Sequence, residues 1–159
     1  MTQRLSASQI SPEPFRKMVE LSMQVKKGSL DAGLLYLTDI RASQINGCGF
    51  CLDMHVKQAK LNGEGELRLH HVAIWRESPL FDARERAALA WTELLTTLPP
   101  QGVPDADYEA ARAQFSEKEL VDLTHAVMAI NAWNRLNVAF RTLPGSADKA
   151  YGLDKAQFA

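Results

Sequence analysis

Two cysteines and one histidine carry the strongest chemical signal in this sequence. The segment Asn46-Gly47-Cys48-Gly49-Phe50-Cys51-Leu52-Asp53-Met54-His55 sets Cys48 and Cys51 three positions apart and His55 four beyond Cys51. Residues three and four apart are neighbours on one face of a helix, so both thiols and the imidazole point the same way. The thiolate is the reactive form of cysteine, and a helix start favours it, because the first N–H groups are unpaired and the dipole end is positive. Cysteines in such settings, Cys-x-x-Cys pairs among them, have lowered pKa values. A thiolate that attacks a peroxide oxygen becomes a sulfenic acid. A second thiol three residues away can condense with it to a disulfide, and an external dithiol can reset the pair by exchange.

The same residues admit two other readings. Structural zinc usually takes four cysteine or histidine ligands. No second pair is spaced to complete such a site, although His70, His71 and His125 are possible donors. Alternatively, two buried cysteines serve as small apolar residues, but the flanking Gly47 and Gly49 do not resemble core filling. The redox reading requires neither metal nor bound cofactor, the dithiol itself being the redox group.

Helices must position these groups. Ser11-Pro12 gives an N-cap followed by proline at the first helical position, opening a helix to about Lys26. Ser29 can cap a second helix through Leu30, Leu34, Leu37 and Ile40 to about Asn46. Gly47 suits the left-handed residue beyond a helix end, so a third helix starts around Cys48 and stops at Asn62-Gly63. Leu67 to Arg76 reads as a short helix, ended by Ser78-Pro79. Asp82 with Glu85, and Ser116 with Glu119, are capping-box pairs. The first opens a helix with Ala87, Ala90, Trp91, Leu94 and Leu98 on one stripe; the second opens a long one running through Val127 and Trp133 to Phe140. Pro104 to Phe115 is a weaker helix, and the tail after Gly145 reads as loosely ordered. No strand alternation competes. The expected fold class is all-α, an antiparallel helical bundle, and 1–159 reads as a single helical domain with its core at about 11–141.

The bulk composition narrows the function. Apolar residues make up 46% and charged residues 23%, an ordinary globular composition that argues against disorder. The net charge of −1 offers no basic excess for phosphates, so no nucleic-acid partner is expected. There is no apolar run long enough for a membrane span and no secretory signal, which points to the cytoplasm. In that reducing compartment a structural disulfide is not expected.

Other polar and aromatic residues read as structural. Trp75, Trp91 and Trp133 suit core or subunit interface more than a substrate pocket. Asn131, Asn134 and Asn137 interrupt an apolar helix, and buried amides need partners, so they are expected to pair across helices or between subunits. Asp53, two residues from Cys51, reads as a solvated charge on another helix face. The abundance of apolar helix surface in a short chain also favours a homo-oligomer.

The segment from Arg41 to His55 resembles the alkyl hydroperoxidase D-like group of the carboxymuconolactone decarboxylase family. The resemblance continues through Trp75–Phe81, Glu85–Leu89 and Ile130–Arg135, and covers about residues 15 to 141. It implies an all-helical oligomer, trimer or hexamer, with thiol-dependent peroxidase activity on alkyl hydroperoxides. It further implies that Cys51 attacks the peroxide, Cys48 resolves it and His55 belongs to a proton relay, with a dithiol or lipoyl-type reductant as partner. The family's ring-opening decarboxylases lack the cysteine pair, so that activity is not implied. One departure stands out. Peroxidases of the family carry a relay glutamate twelve residues before the first cysteine, where this chain has Tyr36. A tyrosine hydroxyl is a poor base near neutral pH. Asp39, Glu85 and Glu93 are the candidate substitutes. The alternative function is a disulfide exchanger or redox stress sensor without peroxidase activity.

Overall fold

Four of the five long helices begin where a side chain accepts a free backbone amide; the exception opens on Ser11-Pro12, where Ser11 takes the N-cap position without a side-chain bond. The computed structural model describes residues 2–156. Its main helices are α1 (Ala7–Ile10), α2 (Pro12–Val25), α3 (Ala32–Ile45), α4 (Gly49–Leu61), α5 (Glu66–His71), α6 (Ala83–Thr97), α7 (Asp105–Arg112), α8 (Glu117–Phe140) and α9 (Asp148–Tyr151). Short 3-10 turns follow α5 at Val72–Ile74 and α9 at Leu153–Lys155. There is no strand among the described residues, and the fold is all-α. Among the described residues no helix is long and apolar enough to cross a membrane.

Both capping boxes form. Asp82 and Glu85 exchange side-chain-to-backbone bonds of 2.8 and 2.9 Å at the head of α6, and Ser116 and Glu119 do so at 3.3 and 2.8 Å at the head of α8. The second helix starts later than Ser29. Asp31 caps α3, its Oδ1 accepting the Leu34 N–H at 2.8 Å. Ser29 instead donates its amide and hydroxyl to Asp122 at 2.9 and 2.7 Å, tying the loop before α3 to α8.

Helix α3 is the centre of the bundle, packed against α4, α6 and α8. Its buried residues, Leu34, Leu35, Leu37, Thr38, Ile40, Ala42 and Ser43, lie all round the helix, the pattern of an element with neighbours on every side. At one end Leu34 and Leu35 meet Ala88, Trp91, Phe115 and Leu123. In the middle Leu37 and Ile40 meet Leu69, Val72, Trp75 and Leu89. At the other end Ala42 meets Ile130 and both cysteines. Helix α2 differs: none of its residues is fully buried.

Residues 146–156, the described part of the tail beyond Gly145, are ordered, contrary to the expectation; residues 157–159 lie outside the described residues. They form α9 and a 3-10 turn in the described part, and Leu153 is only 3% exposed. Two polar ties hold this stretch. The Gly145 N–H donates to Asp53 Oδ2 at 3.0 Å, and Lys57 bridges Asp53 and Asp148 at 2.8 and 2.7 Å. Asp53 is therefore an anchor for the tail rather than a solvated charge.

Candidate active site

The site is built on the turn between α3 and α4. Gly47 has φ +65°, which a residue without Cβ adopts at no steric cost. Around it the Cys48 N–H donates to Ser43 O at 3.0 Å and the Gly47 N–H to Gln44 O at 3.3 Å, the paired bonds of a Schellman ending. The next residue, Cys48, is at once the end of that motif and the N-cap of α4. Its Sγ accepts the Cys51 N–H at 3.3 Å. The two sulfurs are free thiols 2.6 Å apart, each 2% exposed.

Protonation of the pair is uneven. The hydrogen bond with Cys51 is the largest influence lowering the Cys48 pKa; the N–H groups of Cys51 and Phe50 and the Asn134 amide add to it, and together they outweigh burial and bring the thiol to about 7. Cys51 moves the other way. Its bond with Cys48, its burial and the Cys48 charge all hold its proton on. Two negative charges at this separation are unfavourable, so the pair carries one proton readily and the negative charge settles on Cys48. Asn134 and Asn137 oppose this at Cys51, the Asn137 amide donating to its sulfur at 3.5 Å.

His55 joins the site through its Nδ1, which lies 3.2 Å from Asp39 Oδ2 and 2.9 Å from Gln58 Oε1. Both neighbours are acceptors, which assigns the proton to Nδ1 and leaves Nε2 as the basic nitrogen. The side chains of His55 and Asp39 are 12% and 14% exposed. Burial pushes the Asp39 pKa up, while the nearby charges of His55 and Lys26 draw it back.

Of the three candidate replacements for a relay glutamate, the structure brings only Asp39 to His55. It lies on α3, three residues beyond Tyr36 and so close to the same helix face. Tyr36 packs beside the Leu37 and Ile40 cluster, and burial, with the Asp39 charge, raises its pKa further. Glu85 is engaged by Arg68 and by its own cap. Glu93 accepts from Arg41 at 2.7 Å and from the Trp75 indole at 2.8 Å.

Cys51 and His55 border one cavity of about 520 Å³; Cys48 lies behind Cys51 and does not. The walls come from α2, α4 and α8, with the N-terminal segment and the chain after α8 covering the sides. Phe15, Met54, Trp133, Leu136 and Phe140 make most of the surface apolar. Trp133 is fixed by a 2.8 Å bond from its indole to Ser22 Oγ and an edge contact with Phe15 at 5.1 Å. Trp133 is thus a pocket residue, whereas Trp75 and Trp91 are core residues as expected.

The asparagines of α8 proved to belong to the site. Asn134 is fully buried, accepts from Asn46 at 2.9 Å and donates to Ser43 at 3.0 Å. Asn131 accepts from the other side of the same Asn46 amide at 2.9 Å and donates to Thr96 at 3.0 Å. Asn137 reaches the Cys51 sulfur itself. Their cross-helix pairing was expected; the contact with Cys51 was not, although polar side chains at a three-residue spacing on an apolar helix are a visible signal. His70, His71 and His125 lie on α5 and α8, away from the sulfurs, His71 being bonded to Ser78 at 2.9 Å.

Comparison with known proteins agrees with this architecture. The sequence profile of the carboxymuconolactone decarboxylase family matches residues 12–94. The uncharacterized protein YdfG of Bacillus subtilis (strain 168) is 37% identical over 139 residues, spanning 87% of this chain and 95% of that protein. The uncharacterized protein YnjA of Escherichia coli (strain K12) is 35% identical over 118 residues, spanning 74% of this chain and 64% of that protein. Among solved structures, a protein of unknown function from Agrobacterium tumefaciens, suggested to be the antioxidant defence protein AhpD, is 40% identical. It superposes with a TM-score of 0.87 over 90% of this chain and 98% of that one. An alkylhydroperoxidase AhpD core protein from Ralstonia eutropha JMP134 shares the fold at a TM-score of 0.78 and 20% identity, over 88% of this chain and 75% of that one.

Proposed function

The chain belongs to the carboxymuconolactone decarboxylase family, and from that premise we propose that it is a thiol-dependent peroxidase that reduces alkyl hydroperoxides through a Cys48–Cys51 dithiol/disulfide cycle. The observation that carries this reading is the placement of Cys51 and His55 on one largely apolar cavity, with the second sulfur 2.6 Å behind the first.

In this reading Nε2 of His55 takes the Cys51 proton as the sulfur attacks the terminal peroxide oxygen. The O–O bond breaks, Cys51 becomes a sulfenic acid, and His55 returns the proton to the departing oxygen to give the alcohol. Asp39 steadies the imidazolium in between. The Cys48 thiolate then attacks the sulfenic sulfur. The S–O bond breaks, the departing hydroxide takes a proton to leave as water, and the disulfide forms. A small dithiol or lipoyl-type reductant restores both thiols by exchange. The cycle would run in the reducing cytoplasm, in a homo-oligomer of trimer or hexamer type.

Burial favours this reading over the second, a disulfide exchanger or redox stress sensor that acts through proteins. Both sulfurs are 2% exposed, and Cys51 is reached through the cavity, which admits a small molecule more readily than a folded partner.

The test is hydroperoxide consumption with dithiothreitol or dihydrolipoamide. Saturable turnover is expected, lost in Cys51→Ser and stalled at a sulfenic acid in Cys48→Ser. Undiminished turnover in Cys51→Ser would refute the assignment.

A further inference from the structure

We propose that the cavity is a site for a single-chain lipid acid, with the hydrocarbon on the apolar walls and the carboxylate held by Lys26. Together with the peroxidase reading, on which the catalytic half of this inference rests, it makes fatty-acid hydroperoxides the substrate class.

Three observations converge on it. First, the cavity of about 520 Å³ falls in the range of small-molecule sites, and its walls are aromatic, aliphatic and methionine side chains. Second, α2 has no fully buried residue, yet turns Phe15, Val19 and Val25 toward this space. An apolar face that meets a void gains from an apolar occupant. Third, the charged residues that border the cavity are Lys26, Asp39 and His55. Asp39 and His55 engage each other at 3.2 Å. Lys26 forms no ion pair among the described residues, and its charge reaches as far as the half-buried Asp39. An apolar chamber with one available cation at its edge complements an amphipathic anion. Lys27 follows it at the same helix end but does not border the cavity. A favourable interaction with the helix terminus would apply to both lysines, so Lys27 is the internal control.

Binding is tested on the reduced protein with oleic acid and methyl oleate, read by tryptophan fluorescence, since Trp133 forms part of the wall. The wild type is expected to prefer the acid over the ester by about tenfold in Kd, the scale of one charge-assisted hydrogen bond. Lys26→Met should bring that ratio to about one, while Lys26→Arg and Lys27→Met should keep it. Failure of the wild type to bind oleate, equal affinity for acid and ester, or an unchanged ratio in Lys26→Met would each overturn the proposal. Turnover separates lipid sources: linoleic acid hydroperoxide is expected to be reduced with a lower KM than its methyl ester, and a diacyl phospholipid hydroperoxide poorly. Equal use of the phospholipid would overturn the restriction to single-chain acids. Lys26-dependent oleate binding without any hydroperoxide turnover would sink the peroxidase reading and leave the binding site standing.

Discussion

Nδ1 of His55 lies 3.2 Å from Oδ2 of Asp39, so the carboxylate that serves this histidine sits one helical turn beyond Tyr36 on α3. The place that Asp39 takes in the proposed relay has a cost in stability. Burial raises the Asp39 pKa above 3.8, so the folded state holds the proton more tightly than the unfolded chain does. That contribution favours folding at acid pH and is lost as pH rises through the folded-state value.

Asp39→Asn is therefore expected to cut hydroperoxide turnover by about 10²-fold, the scale of a positioned acid–base group. The same variant should melt higher than the wild type at neutral pH, with the difference narrowing toward acid pH. Activity assays and thermal melts over a pH series check both. Wild-type turnover in Asp39→Asn, or its loss in Glu85→Gln with the fold intact, would assign the relay elsewhere.

The reactivity of the dithiol should follow the low pKa of Cys48. Thiolate forms above the pKa, so reaction with iodoacetamide is expected to rise through pH about 7, where an unperturbed thiol would rise near 9.0. The bond with Cys51 is the leading cause, so Cys51→Ala should move the profile of Cys48 toward the ordinary value. Mass spectrometry of quenched samples assigns the modified sulfur.

Asn137→Leu removes the donor 3.5 Å from the Cys51 sulfur while leaving the cavity apolar. Asn137 favours the anionic form of Cys51, the form that attacks in the proposed cycle, and a hydrogen bond to a charged group contributes about 1.5–3 kcal/mol, so alkylation of Cys51 and kcat are expected to fall by roughly tenfold or more. Circular dichroism should be unchanged. Equal rates in variant and wild type would remove Asn137 from the site.

Leu153 tests the tail. It is 3% exposed although it lies beyond Gly145, where the sequence offers no long apolar stripe. Leu153→Ala should destabilise the protein by about 2–4 kcal/mol in urea unfolding, the range of a buried leucine truncation. A loosely ordered tail would show no change.

Legibility followed the range of the interaction. The Asp82 and Ser116 caps and the Gly47 turn are bonds within a few residues, and the sequence states them directly. That Cys51 and His55, four apart on α4, border one cavity is equally local; Cys48, expected on the same face, sits instead at the N-cap and does not border it. The choice of Asp39 over Glu85 and Glu93 depends on how α3 is rotated against α4, which no local pattern encodes. Asn137 meets Cys51 across 86 positions and Lys57 meets Asp148 across 91, so both contacts follow from packing alone. Ser29 looked like a cap because its type fits one; Asp31, two residues on, caps the helix through the Leu34 amide, and Ser29 is drawn instead to Asp122 across the fold.

The double duty of Cys48 gives the proposed redox cycle a backbone counterpart. One sulfur is both half of the dithiol and the acceptor that ties down the first amides of α4. When it is spent in a disulfide its negative charge disappears, and with it most of its strength as an acceptor. The oxidised protein then carries a slackened corner between α3 and α4, and amide exchange at Cys51 should quicken on oxidation and slow again on reduction. In the proposed cycle the state of the two sulfurs would thus be written into the local order of this corner as well as into the thiols themselves.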